Sequence, residues 1–142
     1  MPDPSLGVLL FLPYRHLEQR VLDAVVAAGY PVTLAQARVF QRVDPGGSRL
    51  TDLAAAAQVT KQTAGFLVDQ LVAAGFVERV PDPTDARARL VRITAHGYAA
   101  IAVARTVQAE IEQEWREHLG AGRLESLRHT LLRLREITDP WA

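Results

Sequence analysis

The strongest evidence for the fold lies in the stretch of residues 58–94, QVTKQTAGFLVDQLVAAGFVERVPDPTDARARLVRIT. Thr60 can cap a helix that runs to about Ala74, and Gly75 stands in the usual position after a helix end. The spacing of the apolar residues in this helix predicts a buried stripe at Leu67, Leu71 and Ala74. The first part of the stretch therefore predicts an amphipathic helix after the three-residue turn Gln58-Val59-Thr60.

The second part of the stretch is rich in β-forming residues. Residues 76–80 alternate loosely, residues 89–93 alternate polar and apolar side chains, and residues 81–85 between them are typical of turns. This pattern predicts a two-stranded hairpin with a long polar loop.

Two helices are predicted at the start of the chain. The first carries apolar residues at spacings of three and four up to Ala28, and Pro13 either begins it or kinks a longer helix. Thr33 can cap a second helix that runs to about Val43. This second helix would bury Leu34, Ala37 and Phe40.

A short third helix is predicted immediately before the stretch. Thr51 can cap it, and it would end at Ala57, where the turn of residues 58–60 begins. A short helix, a tight turn, an amphipathic helix and a hairpin together predict a winged helix-turn-helix.

Two long helices are predicted after the hairpin. Thr94 can cap the first, from about Ala95 to Leu119, with its apolar positions at Tyr98, Ile101, Val107, Ile111 and Trp115. The last helix would run from Arg123 to about Ile137, with a leucine seam at Leu124, Leu127, Leu131 and Leu134. The predicted fold class is mainly α with a small β-hairpin wing, in the order α-α-α-α-β-β-α-α.

The helix that begins after Thr60 has the chemistry of a DNA-recognition helix. Its start offers an ammonium, an amide and two hydroxyls, and no acid occurs before Asp69. In a helix-turn-helix the N-terminal residues of this helix meet base edges in the major groove. The candidate contacts are Thr60, Lys61, Gln62, Thr63, Gly65 and Phe66. For Thr60 a plain helix cap, and for Gln62 and Thr63 a solvated helix face, are the alternative interpretations.

The wing is the second candidate DNA contact. Between Asp85 and Thr94 the chain has three arginines and no acid, so a hairpin tip can place an arginine in the minor groove. The candidates are Arg87 and Arg89. For Arg92 a solvated strand face is an equally good interpretation.

Composition sets limits on the possible functions. The chain has 142 residues, and its 16 basic and 16 acidic side chains cancel, so bulk positive charge cannot hold nucleic acid although a local basic patch can. There is no Cys, which excludes thiolate metal sites and thiol chemistry. Because no transmembrane stretch or complete signal peptide is present, a soluble cytoplasmic protein with no membrane partner is expected.

Residues 50–97 resemble the MarR family of bacterial transcription regulators. The matching stretches are Leu53-Ala54, 59–63, 67–71, 75–79 and 82–94, ending at Gly97. The resemblance implies a single domain over residues 1–142, with dimerisation helices at 1–32 and 95–142 and a DNA-binding lobe at 33–94. It also implies a homodimer on a pseudo-palindromic operator in double-stranded DNA, often released by a small-molecule effector, and hence a repressor.

The resemblance assigns roles within the wing and exposes two departures from the family pattern. It makes Asp85 the support that orients Arg87 toward DNA. Gln58 stands where such turns often have Gly, and Gly65-Phe66 stands where many relatives have polar residues. Gly65 could admit close backbone approach to DNA, while Phe66 could touch thymine methyl groups or pack against the wing.

Other sites are expected to be few. Family pockets lie between the dimer helices and the DNA-binding lobe, and Tyr14, Arg15, His16, Tyr30, Phe40 and Trp115 could line one. The pairs Glu114–His118 and Glu125–His129 lack a third ligand, so neither a metal nor another cofactor is expected. The chain contains no P-loop, dinucleotide fingerprint or nucleophile elbow, so it is not expected to be an enzyme. The alternative function is a winged-helix protein-interaction or architectural module without specific DNA binding.

Overall fold

Six helices and one hairpin make up the computed structural model, which describes residues 2–139. In chain order they are α1 (Leu6–Ala27), α2 (Leu34–Phe40), α3 (Leu50–Ala57), α4 (Lys61–Ala73), β1 (Val77–Asp82), β2 (Asp85–Ile93), α5 (Ala95–Leu119) and α6 (Ala121–Thr138). The mainly helical class and the predicted order are confirmed. Residue 1 and residues 140–142, the two ends of the predicted domain, lie outside the described part.

Three predicted threonine caps are confirmed. Thr33 begins α2 with a full capping box, in which its hydroxyl and the Gln36 side chain satisfy each other's backbone N–H groups. The Thr60 hydroxyl accepts from the Thr63 N–H at 3.1 Å, and the Thr94 hydroxyl accepts from the Gly97 N–H at 3.0 Å. These caps fix where α2, α4 and α5 begin.

The fourth predicted cap, at Thr51, is wrong. Ser48 pairs with Val91 of β2 in an isolated bridge, and α3 begins directly after it with Arg49 at the N-cap. The helix therefore begins earlier than the sequence predicts, and Thr51 falls inside the first turn of α3. Arg49 makes no side-chain cap hydrogen bond.

Other helix boundaries also differ from the prediction. α1 begins at Leu6, where the Ser5 hydroxyl accepts from the Val8 N–H, so Pro13 lies inside the helix rather than at its start. α2 ends at Phe40, because the chain turns there to bury Val43 in the core. α6 begins at Ala121, directly after Gly120 with its φ of 91°.

The hairpin has longer strands and a shorter turn than predicted. β1 and β2 pair antiparallel from Val77↔Ile93 to Asp82↔Asp85, so the turn is only Pro83-Thr84 and the long polar loop is wrong. An Asp82 carboxylate oxygen closes this turn by accepting from the Thr84 N–H at 2.8 Å and its hydroxyl at 2.7 Å. Residues 86–88 have no partner in the register and form a bulge in β2.

The core lies where α4 packs against α2, α3 and β1. Burial on several sides widens the apolar stripe of α4 to Ala64, Leu67, Val68 and Leu71, whereas the predicted stripe member Ala74 is exposed. In α2 the fully buried residue is Val39. The predicted residues Leu34, Ala37 and Phe40 are only half-buried.

The long helix α5 packs against α1 and α6. Of its predicted apolar positions Ile111 is fully buried, Ile101, Val107 and Trp115 are half-buried, and Tyr98 is exposed. Gly97 and Ala100 are buried where α5 starts. No residue of α6 is buried within this single chain as far as it is described, although the predicted leucine seam lies on it.

Two helical glycines should respond in opposite ways to alanine. A Cβ at Gly65 would meet only the Leu50 side chain, at 3.6 Å, which is an ordinary contact. A Cβ at Gly97 would lie 2.2 Å from the Phe76 carbonyl oxygen. Gly65→Ala should therefore raise the free energy of unfolding by about 0.5–1 kcal/mol, and Gly97→Ala should lower it by about 2 kcal/mol or more. Urea unfolding measures both; destabilisation by Gly65→Ala would contradict this account of its packing.

Candidate nucleic-acid interface

The start of α4 presents a free polar edge. Gln58 takes the left-handed conformation (φ 58°, ψ 44°) that the turn requires, so the turn forms without glycine. Thr60 is the N-cap, and its hydroxyl is bonded within the first turn, to the N–H and hydroxyl of Thr63. Lys61 and Gln62 are exposed, and their side chains have no hydrogen-bond or ion-pair partner within residues 2–139. An ammonium and an amide are thus available to a ligand at a helix N-terminus.

The next turn of α4 carries an exposed aromatic side chain. Phe66 is 63% exposed, so it does not pack against the wing, which was one of its two predicted roles. Gly65 is half-buried, and a Cβ there would face Leu50 of α3. After its polar start, α4 therefore exposes an apolar ring at Phe66, while its backbone at Gly65 faces α3.

The four arginines of the hairpin fall into two pairs. Arg79 binds Asp69 of α4 at 2.6 Å, and Arg92 binds Glu78 across the strands at 2.7 Å. The other two, Arg87 in the bulge and Arg89, are exposed and have no acidic partner in the part of the chain described. Within the hairpin, the arginines without an acidic partner among residues 2–139 are thus the two nearer the tip.

Asp85 and Arg87 are in contact through the backbone. The Asp85 carboxylate accepts from the Arg87 N–H at 3.0 Å, which fixes the bulge and leaves the guanidinium free. The contact holds the Arg87 backbone, and the orientation of the Arg87 side chain toward DNA stays a prediction.

Sequence reasoning missed the ionic contact at the root of the turn. Arg49 donates from Nε to one oxygen of Asp82 at 2.9 Å, and its terminal nitrogen forms an ion pair with the same oxygen at 2.8 Å. The Thr84 N–H and hydroxyl, together with the Arg49 guanidinium, hold the pKa of Asp82 below its usual value. The side chains come from distant parts of the sequence, so no local spacing marks the pair.

A cavity of about 430 Å³ lies between α1, α2 and α5 and reaches the base of the hairpin. Its lining is mainly apolar and includes Tyr14 and Phe40, two of the residues predicted for a ligand pocket. Arg15, His16 and Trp115 do not line it. Tyr30 packs instead against the rings of Phe76 and His96.

Charged and phenolic groups form one wall of the cavity. The Tyr14 hydroxyl donates to Glu18 at 2.5 Å, and Arg38 of α2 donates to both oxygens of Glu18 at 3.0 Å. The Arg38 hydrogen bonds lower the pKa of Glu18, while burial and then Glu18 raise the pKa of Tyr14. Glu18 therefore remains ionised at neutral pH and ties α1 to α2.

Two further kinds of site would bear on function, a cluster of metal ligands and a membrane-spanning helix. Across residues 2–139 no group of three His, Asp or Glu side chains is arranged to hold a metal ion, and Glu114 forms an ion pair with Arg20. Within the same residues no helix combines the length and the apolar character needed to cross a membrane.

Known structures share this fold over almost the whole chain. A cysteine-to-serine mutant of MarR from E. coli has a TM-score of 0.72 at 24% identity, covering 94% of this chain and 98% of that chain. The same mutant in complex with operator DNA has a TM-score of 0.71 at 24% identity, covering 91% and 92%. RV1404 from Mycobacterium tuberculosis has a TM-score of 0.71 at 22% identity, covering 97% of each. None of the curated proteins matches the sequence.

The helices α2 to α4, the β1–β2 hairpin and the likeness to these known structures define a winged helix-turn-helix protein. The model of the MarR family matches residues 30–88, which include the whole of α2, α3 and α4, β1 and the tip of the wing. The resemblance seen in the sequence is thereby confirmed, and the fold is that of the MarR family of transcription regulators.

Proposed function

We propose that this protein is a sequence-specific DNA-binding transcription regulator. The observation that carries the proposal is the pairing of the hairpin arginines, because Arg79 and Arg92 are neutralised within the protein and Arg87 and Arg89 are not. Unpaired guanidinium groups at an exposed hairpin tip suit phosphate oxygens or a narrow minor groove. A structure of the MarR mutant with operator DNA supports the same use of the fold.

The two exposed surfaces would perform different tasks on DNA. The start of α4 would lie in the major groove, where the Gln62 amide can pair with adenine and Lys61 can reach guanine or phosphate. Thr60 would cap the helix and meet a phosphate, with Thr63 beside it. Arg87 and Arg89 would add affinity that depends little on sequence, because backbone contacts position a protein without reading bases.

Phe66 completes the proposed DNA-binding set, whereas close backbone approach at Gly65 is not proposed, because the space for a Cβ there faces Leu50 of α3. The exposed ring of Phe66 can contact thymine methyl groups in the major groove. The same exposed ring, together with the zero net charge of the chain, favours the alternative function, a protein-interaction or architectural module without specific DNA binding. Salt dependence separates the two, because affinity that comes from phosphate contacts falls steeply with salt.

The protein would act as a homodimer on a pseudo-palindrome. The first half of α1 exposes Leu6, Leu9, Phe11 and Leu12, and α6 exposes Leu127, Leu131, Leu132, Leu134 and Ile137. Apolar surface of this extent on two helices of one chain indicates an interface. Residues 1–32 and 95–142 would form it, and residues 33–94 would form the DNA-binding lobe. Such a dimer would place its two recognition helices in successive major grooves, ~34–36 Å apart.

The cavity is the proposed effector site, and the regulator would be a repressor that its ligand releases from DNA. A largely apolar cavity of about 430 Å³ suits a small molecule. It lies between α1, which belongs to the proposed dimer helices, and α2, which belongs to the DNA-binding lobe. A ligand there would change how the two parts pack. A regulator of this kind would be neither an enzyme nor dependent on a cofactor, and it would work in the cytoplasm.

Alanine variants should separate the two DNA contacts. Arg87→Ala should weaken binding to operator and random DNA alike and reduce the salt slope by about 0.9 per lost phosphate contact. Gln62→Ala should weaken operator binding by ~1–3 kcal/mol and leave random DNA nearly unchanged. Arg92→Ala, whose arginine pairs with Glu78, is the matched control and should have the smaller effect on both DNAs. The measurement is a titration at two salt concentrations; operator binding by Arg87→Ala equal to wild type would remove the wing from the interface.

Sedimentation should give a particle of about twice the mass of the chain at micromolar concentration, because two exposed apolar helices seek a partner. Leu131→Glu should shift the equilibrium toward monomer, since it places a charge in the proposed interface. Val72→Glu, at a comparably exposed position on α4, should leave the dimer intact. A wild-type protein that stays monomeric would refute the proposed operator geometry.

The cavity should bind an apolar fluorescent probe such as anilinonaphthalene sulfonate, and the bound probe should weaken operator binding. Ala104→Phe should reduce probe binding because residue 104 lines the cavity, whereas Ala109→Phe on the exposed side of the same helix should not. Thermal unfolding of both variants checks that they are folded. Saturating probe without any change in operator affinity would argue against a ligand-responsive site here.

A further inference from the structure

The tip of the wing is tied to α3 by one side chain, Arg49. Arg49 donates one hydrogen bond from Nε to a carboxylate oxygen of Asp82, the last residue of β1, at 2.9 Å, and a terminal guanidinium nitrogen lies 2.8 Å from the same oxygen in an ion pair. That terminal nitrogen also lies 3.9 Å from the carboxylate of Asp85. These two acids stand on either side of the Pro83-Thr84 turn. One guanidinium therefore reaches both ends of the turn.

The position of Arg49 makes this contact unusual. It is the N-cap of α3, where Ser, Thr, Asp or Asn would normally satisfy a free N–H of the helix. Arg49 makes no cap hydrogen bond, so the helix forgoes that stabilisation. Its guanidinium is directed to the hairpin instead.

The Asp82 carboxylate is buried and held in place by hydrogen bonds. Its side chain is 6% exposed, and its second oxygen accepts both hydrogen bonds from Thr84. Both carboxylate oxygens are therefore committed, one to the turn and one to Arg49. Movement of the turn relative to α3 would break the contact with Arg49.

The part of the wing that carries Arg87 needs such an anchor. Residues 86–88 bulge out of the strand pairing, and the Arg87 backbone is held by the Asp85 carboxylate at 3.0 Å. A two-stranded hairpin is by itself only marginally stable in water. A tip held at Asp82 and Asp85 would therefore keep Arg87 in a defined place relative to α4, against which α3 packs.

We propose that Arg49 is a positioning residue, which sets the wing arginines relative to the recognition helix through Asp82 and Asp85. The proposal rests on the proposed DNA-binding function, within which it adds a residue that need not touch DNA. If Arg49 holds the tip of the wing in place before DNA binds, less conformational entropy is lost on binding. The affinity for DNA is then higher.

The first experiment measures the tip without DNA. The chain has no Cys, so a spin label attached at Ala86→Cys reports the bulge, and one at Ala73→Cys reports α4. Arg49→Met should sharpen the spectrum of the label at residue 86, which indicates faster motion, and leave that at residue 73 unchanged. An unchanged spectrum at residue 86 would overturn the proposal whether or not the protein binds DNA.

The second experiment measures operator binding after the negative charge of Asp82 is removed. Asp82→Asn removes a negative charge from the wing, which by simple electrostatics should strengthen DNA binding. If Arg49 acts through Asp82, the variant should instead bind operator about fivefold more weakly, a coupling usual for residues in one network. Asp52→Asn, an exposed acid in the first turn of α3, is the control and should bind as well as wild type or better. Tighter binding by Asp82→Asn would refute the proposal.

A double-mutant cycle distinguishes positioning from a direct phosphate contact by Arg49. Positioning predicts that Arg49→Met weakens DNA binding in the wild-type background and has a smaller effect, by about fivefold, in the Arg87→Ala background. A direct contact predicts the same loss in both backgrounds, with a lower salt slope in each, and would overturn the proposal. Wild-type protein that shows no salt-dependent DNA binding would refute the proposed function, while the label spectra would still decide what Arg49 does.

Discussion

The structure depends on the close approach of the start of α5 to the backbone of Phe76. The Phe76 carbonyl accepts from the N–H of Thr94 and from its hydroxyl, both at 3.1 Å, and the same hydroxyl donates to the Gly75 carbonyl at 2.5 Å. Only a residue without Cβ fits at position 97, next to that carbonyl. This contact fixes the long helix α5 against the end of α4 and the start of the wing. It is one of the contacts that set α5 relative to the helices α2 to α4.

The proposed effector cavity lies beside this same junction. Phe76 and Ile93, at the two base positions of the hairpin, line it together with Phe40 of α2. In the same cavity Glu18 of α1 binds Arg38 of α2, so one ion pair joins α1 to α2. A ligand in the cavity would push α1 and α2 apart at the point where the proposed DNA-binding lobe joins α1 and α5. Because closely packed side chains compress little, a small displacement there would move the neighbouring helices. The geometry thus gives the proposed ligand response a short mechanical route.

Local signals in the sequence were reliable where one residue acts on its immediate neighbours. The caps at Thr33, Thr60 and Thr94 and the bounds of α5 are confirmed because a hydroxyl needs only an N–H three residues ahead. The cap at Thr51 failed because a distant strand pairs with Ser48 and sets the start of α3. The predicted length of the hairpin loop was wrong for a related reason. The polar composition of residues 81–85 indicated a long loop, whereas the Asp82 side chain closes a tight turn there. The predicted DNA contacts at Lys61, Gln62, Arg87 and Arg89 are exposed, and whether they bind DNA stays a prediction.

The pairing of the hairpin arginines shows why charge patterns in a sequence need the fold for their interpretation. In the sequence Arg87, Arg89 and Arg92 form one basic run, and the local pattern does not show which of them has an acidic partner. In the fold the antiparallel register brings Glu78 opposite Arg92, while residues 86–88 leave the pairing altogether. The same geometry places Asp82 within reach of Arg49, which a sequence separation of 33 residues hides. An electrically neutral chain can therefore still place unpaired arginines next to one another, because the fold brings acids to Arg79 and Arg92 and, in the part of the chain described, none to Arg87 and Arg89.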